Sequence, residues 1–306
     1  MWRTKADGAK DDGVARPPTL ADYHAVAARR AAPSTAAPDI SVVTVVKNGA
    51  ATLRRTIASV HAQKGPSIEH IIIDGGSTDG TIDLVKSLLR PGDYWQSEPD
   101  YGISDAFNKG IALARGRAIQ ILNADDWLPP GQLAIRAAVL TESATDFAFG
   151  DCLAYEGDRP AFRYRGHADF AAQIGRHMHA INHPSLLARR SAYLDYGLFS
   201  LRHHYAMDYE WILRVHRAGG RGVYDPRIVA NLSLGGVSHR QYRRSEREVR
   251  DTAITYGRNP SAAELEYRYH LVKSTFGRLL MRQARPVYDR VRSWINPHFE
   301  PYVGRG

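Results

Sequence analysis

Residues 120–128 read QILNADDWL, so an apolar run ends directly in two adjacent aspartates, Asp125 and Asp126. Carboxylates side by side repel, and such a pair must be solvated, hydrogen-bonded or shared with a cation. A hard divalent ion, Mg2+ or Mn2+, suits these ligands, because it favours carboxylate and phosphate oxygens and often takes only one or two protein carboxylates. The plainer reading is a capping pair for the helical pattern GQLAIRAAVL, but Pro129, Pro130 and Gly131 stand between the acids and that helix. A second cluster, DGGSTDGT at Asp74–Thr81, reads as a turn and helix start, with glycines for unusual backbone angles and Ser77, Thr78 and Asp79 as caps. Asp74 also falls at a strand tip, where a carboxylate can accept hydrogen bonds from a base or ribose.

His177, His179 and His183 form a run that invites zinc. However, Asn182-His183-Pro184 breaks a helix there and no Glu follows His179, so a zinc site is not expected. The chain also lacks a Gly-x-Gly-x-x-Gly after its first apolar run and a Gly-Lys-Ser/Thr phosphate loop, which removes support for a dinucleotide oxidoreductase or a phosphate-loop ATPase. A nucleotide bound here is expected to be held by a metal between carboxylate and diphosphate.

The elements that must position these residues alternate. ISVVTVV, IEHIII, YWQS and RAIQIL have the apolar, β-branched character of buried strands, and AATLRRTIASVHAQ, GTIDLVKSLL and ISDAFNKGIALA lie between them with helical spacing. That order predicts an α/β fold, a parallel sheet covered by helices on both faces. Ligands of such sheets bind beyond the carboxyl ends of the strands, which is where KNGA, DGGSTDGT, EPDYG and NADDW fall.

Composition bounds the rest. With 43% hydrophobic and 24% charged residues in 306, bulk disorder is not expected. The single cysteine, Cys152, forbids an internal disulfide and a cysteine-only metal site, and favours a reducing compartment. No apolar run approaches the roughly 20 residues that cross a bilayer, and the N-terminus shows no signal-peptide core, so a cytoplasmic location is expected. The net charge is +9, and from Arg240 onward thirteen Arg and one Lys face seven acids, leaving +7 in that stretch. Its segment SAAELEYRYHLVKSTFGRLLMRQ reads as an amphipathic helix, either packed on the core or attached to an anionic membrane surface or a lipid diphosphate. Residues 1–38 lack periodicity and are expected to form a mostly disordered leader with one short helix near Ala21–Arg30. The expected organisation is thus leader 1–38, catalytic domain 39–238 and basic helical extension 239–306.

Six ordered segments carry a resemblance: SVVTVVKNGA, HIIIDGGSTDGT, SEPDYGISDAFNKGIALARG, LNADDWL, NHPSLLARRSAYLDYGLFS and MDYEWILRVHRAGG. Their order and spacing resemble the family 2 glycosyltransferases with the GT-A fold, most of all the bacterial polysaccharide-assembly transferases of the colanic-acid type. The resemblance implies a Rossmann-like, mixed but mainly parallel sheet flanked by helices. It also implies inverting transfer of a sugar from a nucleotide diphosphate donor to a lipid-linked glycan acceptor in cell-surface polysaccharide synthesis, with Mn2+ or Mg2+ as cofactor. On this chain the family's Asp-x-Asp motif falls on Asn123, Ala124 and Asp125, which makes Asp125 the principal metal ligand with Asp126 in support. Asp208 takes the position of the catalytic base, although an Asp opening the helix YEWILRVHRAGG is also a good N-cap. Val45, Asn48, Asp74, Asp100, Asp105, Asn108 and Lys109 fall on the donor side, and His183 and Glu210 on the acceptor side. Gly75 stands where the family often has a second acid.

Two other functions share some of these features. An arginine-rich end and a pI near 9.6 would suit a nucleic-acid-binding protein, but acids interrupt the basic stretch and no reading motif is present. A sugar nucleotidyltransferase would share the sheet and acids, but VVKNGAATLRR is a poor substitute for its glycine-rich, basic triphosphate loop.

Overall fold

A computed structural model describes residues 16–30, 36–175, 181, 183–236, 241–283 and 299–301. Four parallel strands form the first half of one sheet: β1 (Ile40–Val46), β2 (Ile68–Asp74), β3 (Tyr94–Ser97) and β4 (Ala118–Ile121), in the spatial order β3-β2-β1-β4. β1 is buried along its whole length, as a β-branched run with neighbours on both edges and helices on both faces must be. The helices between these strands are α2 (Ala50–His61), α3 (Thr81–Leu88) and α4 (Ile103–Leu113). In α2, Leu53, Thr56, Ile57 and Val60 form the buried stripe, the i, i+3, i+4, i+7 pattern read from the sequence.

α4 departs from that pattern, since Ser104 through Ile111 are all buried. It lies under β1 and β2 and is covered from outside by other elements. Gly110 permits the close approach, because a Cβ there would stand 2.2 Å from Val43 Cγ1. One covering element is α1 (Leu20–Ala28), which buries Tyr23 and Val26. Arg30, just beyond it, pairs with Glu69 at 2.7 Å and donates to Leu113 O at 2.9 Å. The short helix expected near Ala21–Arg30 is therefore present and docked, although the composition around it reads as a loose leader.

The second half of the sheet contains α5 (Gln132–Ser143), β5 (Phe147–Glu156), β6 (Arg159–Tyr164), α6 (Phe170–Gln173), β7 (Leu187–Arg189), α7 (Arg190–Asp195), α8 (Met207–Arg217) and β8 (Gly222–Ser233). β7 runs antiparallel to β4 and joins it to β5; β6 pairs antiparallel and β8 parallel with β5. The sheet is thus mixed, with nine strands among the described residues, as a GT-A resemblance implies. α9 (Tyr242–Thr255) and α10 (Pro260–Gln283) follow as a helical pair, and β9 (Phe299–Pro301) adds to the edge of β6.

Candidate active site

The loops after β1 to β4 open at one edge of the sheet. The first two are laced together: Asn48, at φ 54, accepts from Thr78 N at 2.9 Å and its own N–H donates to Ser77 Oγ at 2.7 Å. Asp74 sits beneath them, fully buried, and accepts from Gly76 N, Ser77 N and Ser97 Oγ at 3.0, 2.9 and 2.6 Å, and from Ser77 Oγ. Its carboxylate builds the loop; the expected contact to a base or ribose is corrected, because both oxygens are already engaged. Val45 is likewise a core residue by its side chain, 8% exposed in β1.

Gly75 leaves its side-chain space to another acid. A Cβ on Gly75 would lie 2.3 Å from Asp100 Oδ2 and 3.5 Å from Lys47 Cδ. Asp100 is half-buried; its Oδ1 accepts from Gly102 N at 3.0 Å, and among the described residues nothing donates to Oδ2. Partial burial holds this carboxyl above the ordinary aspartate range, against the opposing charges of Lys109 and Lys47.

Three further residues expected on the donor side turn inward. Asp105, 1% exposed, accepts from Tyr23 Oη at 2.9 Å and Tyr101 N at 2.8 Å. Asn108, also 1% exposed, clasps the backbone of Phe199, donating to its O and accepting from its N, both at 2.9 Å. The Lys109 ammonium is held by Glu98 at 3.0 Å, Asp105 at 3.2 Å and Pro99 O at 3.1 Å. Because α4 is buried on every side, its polar groups must be paired inside the protein, and they tie the loop after β3 to α1 and to the segment before α8.

The aspartate pair divides into two roles. Thr56 Oγ1 on α2 donates to Ala124 O at 2.9 Å and Asp126 O at 2.7 Å, and Trp127 bridges to the Asn231 backbone of β8. This turns Asp126 inside, 1% exposed, accepting from Ser233 N and Asn123 Nδ2, each at 3.0 Å. Burial first, and then the charge of Asp125, push the Asp126 carboxyl up to about 8. Asp126 is therefore corrected from supporting metal ligand to buried anchor, and the Asn123 amide serves that anchor. Asp125 stays half-exposed at the tip of β4, with the loop after β8 beside it: a Cβ on Gly236 would be 3.0 Å from its Oδ2. Among the described residues no group of three or more His, Cys, Asp or Glu could hold a metal alone. A half-exposed carboxylate at this tip fits a cation whose remaining ligands come from phosphate.

Asp208 lies in the first turn of α8, half-buried, with Oδ1 accepting from Tyr209 N at 2.7 Å. The N-cap position belongs to Ala206, so Asp208 is not the cap. His183 packs edge-on to Phe107 with ring centroids 6.1 Å apart, and its buried Nε2 has no partner. Burial lowers its pKa, with the charge of Asp208 opposing. Glu210 is corrected: it is 5% exposed and bound by Arg214 at 3.0 Å and Tyr256 Oη at 2.5 Å, which leaves no carboxylate facing an acceptor. His177 and His179 lie outside the described residues.

Residues 41–207 match the sequence profile of Glycosyl transferase family 2. The chain belongs to this family. An uncharacterised glycosyltransferase of Mycobacterium tuberculosis is 35% identical over 192 residues, 59% of this chain and 70% of that one. A PGL/p-HBAD biosynthesis glycosyltransferase of Mycobacterium bovis is 29% identical over 185 residues, 58% and 70% of the two chains. Among solved structures, a mannosyltransferase from Pyrobaculum calidifontis, in complex with GDP-Man and Mn2+, aligns with TM-score 0.57 at 17% identity over 91% of this chain and 89% of its own. S. aureus TarS 1-349 with UDP-GlcNAc gives 0.57 at 14%, covering 74% and 69%; the present chain spans 41% of a longer TarS chain. At these identities the structures show the fold, GT-A.

In this glycosyltransferase, motif reading located the loops but missed residues that act from a distance. Glu248 on α9 accepts from three successive amides ahead of α8, and Tyr23 on α1 reaches Asp105. A signal for the latter was present: Thr19 and Asp22 form a capping box, in which Asp22 Oδ2 takes Thr19 N at 2.6 Å, just before the apolar pair Tyr23 and Val26. Glu248 had none, being one acid among many arginines.

Proposed function

We propose that this transferase is inverting and metal-dependent, and moves a sugar from a nucleoside diphosphate to a hydroxyl of a lipid-linked glycan in cell-surface polysaccharide assembly. The observation that carries the reading is that Asp100 and Asp125 at the loop cluster and Asp208 at the start of α8 remain only partly buried, while Asp74, Asp105, Asp126 and Glu210 are buried and bonded within the fold. The tips of β4 and β3 are three strand spacings apart, about 14 Å, which is the scale of a nucleoside diphosphate laid across the sheet edge. Asp125 would hold the divalent ion, which would supply charge stabilisation for the departing diphosphate. Asp100 Oδ2 accepts from the base. Asp208 takes the proton of the acceptor hydroxyl as its oxygen bonds to the anomeric carbon; the bond from that carbon to the diphosphate breaks, and the nucleoside diphosphate leaves.

Support for a nucleotide-sugar donor and a divalent ion comes from the named complexes with UDP-GlcNAc and with GDP-Man and Mn2+. Support for a lipid surface comes from exposed Leu265, Tyr269 and Val272, one helical face of α10, in the basic stretch. No helix among the described residues is long and apolar enough to cross a membrane. Calorimetry with UDP, GDP and TDP, with and without Mn2+, tests the donor site. One nucleotide should bind in a way that needs both metal and Asp125, and binding unaffected by Asp125→Asn refutes that site. Transfer by Asp208→Asn at the wild-type rate refutes the base. Flotation with anionic vesicles tests the surface, and protein that stays unbound at low salt refutes it.

A further inference from the structure

The helix carrying Asp208 begins without a cap of its own. Its N-cap residue is Ala206, which has no side-chain acceptor, so the amides ahead of the helix need a partner from elsewhere. Glu248, in the middle of α9 and 42 to 44 residues downstream, supplies it. Its Oε2 accepts from Tyr205 N at 2.7 Å, Ala206 N at 2.9 Å and His204 N at 3.1 Å, and its Oε1 takes His204 N at 3.0 Å. One carboxylate thus gathers three consecutive N–H groups two to four residues before Asp208.

The same segment touches the donor-side loop. Ser104 Oγ, in the first turn of α4, donates to His203 O at 2.8 Å, and a Cβ on Gly102 would stand 3.6 Å from His204 Nδ1. Residues 203–206 therefore lie between the Asp100 loop and Asp208, and the group that fixes their backbone comes from outside the matched region 41–207. A separate contact, from the residue that caps α9, holds α8 further along: Tyr256 Oη donates to Glu210 at 2.5 Å.

We propose that Glu248 is a positioning residue for the transfer reaction, a carboxylate lent by the C-terminal helix pair that sets Asp208 relative to the donor loop. This rests on Asp208 being the base. Catalysis is steep in such placement, and a shift of an ångström at a distance can cost roughly 100-fold. Glu248→Gln keeps the size but removes the charge and one acceptor, so the amide cluster is only partly held.

The test measures kcat, donor KM and Mn2+-dependent nucleotide binding for Glu248→Gln, Asp208→Asn and the double variant. Tyr256→Phe, on the same α8–α9 interface, reports simple loosening, and thermal unfolding of each variant fixes an assay temperature at which all are folded. For Glu248→Gln the expected result is a fall in kcat of roughly 10- to 100-fold with nucleotide affinity within about twofold of wild type. Tyr256→Phe should keep kcat despite comparable destabilisation. In the Asp208→Asn background, Glu248→Gln should cost little more, because its effect passes through the missing base. Independent, multiplying losses, or equal kcat losses in Glu248→Gln and Tyr256→Phe, overturn the positioning role. Wild-type transfer by Asp208→Asn alone overturns the base assignment instead, and so identifies which of the two failed.

Discussion

Replacing Asp100 by Asn should change which base the protein prefers. Oδ1 of Asp100 accepts from Gly102 N at 3.0 Å, so an asparagine keeps its carbonyl there and presents its amide N–H2 where Oδ2 now stands, over Gly75. Uracil offers an N3–H, which suits the carboxylate and opposes the amide; cytosine offers an N3 acceptor, with the reverse preference. Guanine would ask for two acceptors from a carboxylate that has one in use. A hydrogen bond to a charged group contributes about 1.5–3 kcal/mol, and a buried donor left facing a donor costs about 1–3 kcal/mol. Partial exposure of the site argues for the lower half of the combined range, about 2.5–4 kcal/mol, or roughly 70- to 900-fold in Kd for UDP. Titration calorimetry of UDP, CDP and GDP with Mn2+ should show UDP preferred by the wild type and a shift toward CDP in Asp100→Asn. Because burial raises the Asp100 pKa, UDP binding should also weaken on acidification earlier than an ordinary aspartate would allow, and the variant should lack that dependence. Equal losses for UDP and CDP, or none for either, refute the base-reading assignment.

Asn108→Ala leaves both backbone groups of Phe199 without their partners, and should lower stability by about 2–4 kcal/mol in urea unfolding; a loss under 1 kcal/mol refutes the linchpin role. Arg30→Ala breaks a nearly buried pair with Glu69, and should cost about 3 kcal/mol and expose α1 to limited proteolysis, whereas an unchanged cleavage pattern refutes the docking of that helix. His70 is buried beside Thr44, and burial lowers its pKa from 6.5 to about 3. Its folded pKa lies below its unfolded one, so its contribution is complete above pH 6.5 and is lost as pH falls toward 3, by up to ~1.4 kcal/mol per pH unit. Unfolding titrations of His70→Gln between pH 6.5 and 5 should be flatter than wild type, and parallel curves refute this.

The sequence by itself determined the alternating first half of the domain and the loops that carry its chemistry. Continuous β-branched runs such as ISVVTVV can only be buried strands, the 3.6-residue spacing of Leu53, Ile57 and Val60 can only be one face of a helix, and parallel strands must open their polar loops at one edge. The places of Asp125 just past β4 and of Asp208 at the start of a helix were legible in this way, through ordered motifs, and their roles are those proposed above. Which acids point outward was not legible, because adjacent residues of one type read alike until their partners are known. Asp125 and Asp126 differ only because Ser233 and Asn123, brought in by β8 and the β4 tip, claim the second. The all-round burial of α4 turned Asp105, Asn108 and Lys109 inward, although their types suggested a binding pocket. The absence of a Cβ at Gly75 is a local fact, but that Asp100 fills the gap depends on β2 and β3 lying side by side. Glu248 meets its amides only after α9 folds back on α8, and long-range partners of this kind leave no period or spacing in the chain. Only the tertiary structure decides them.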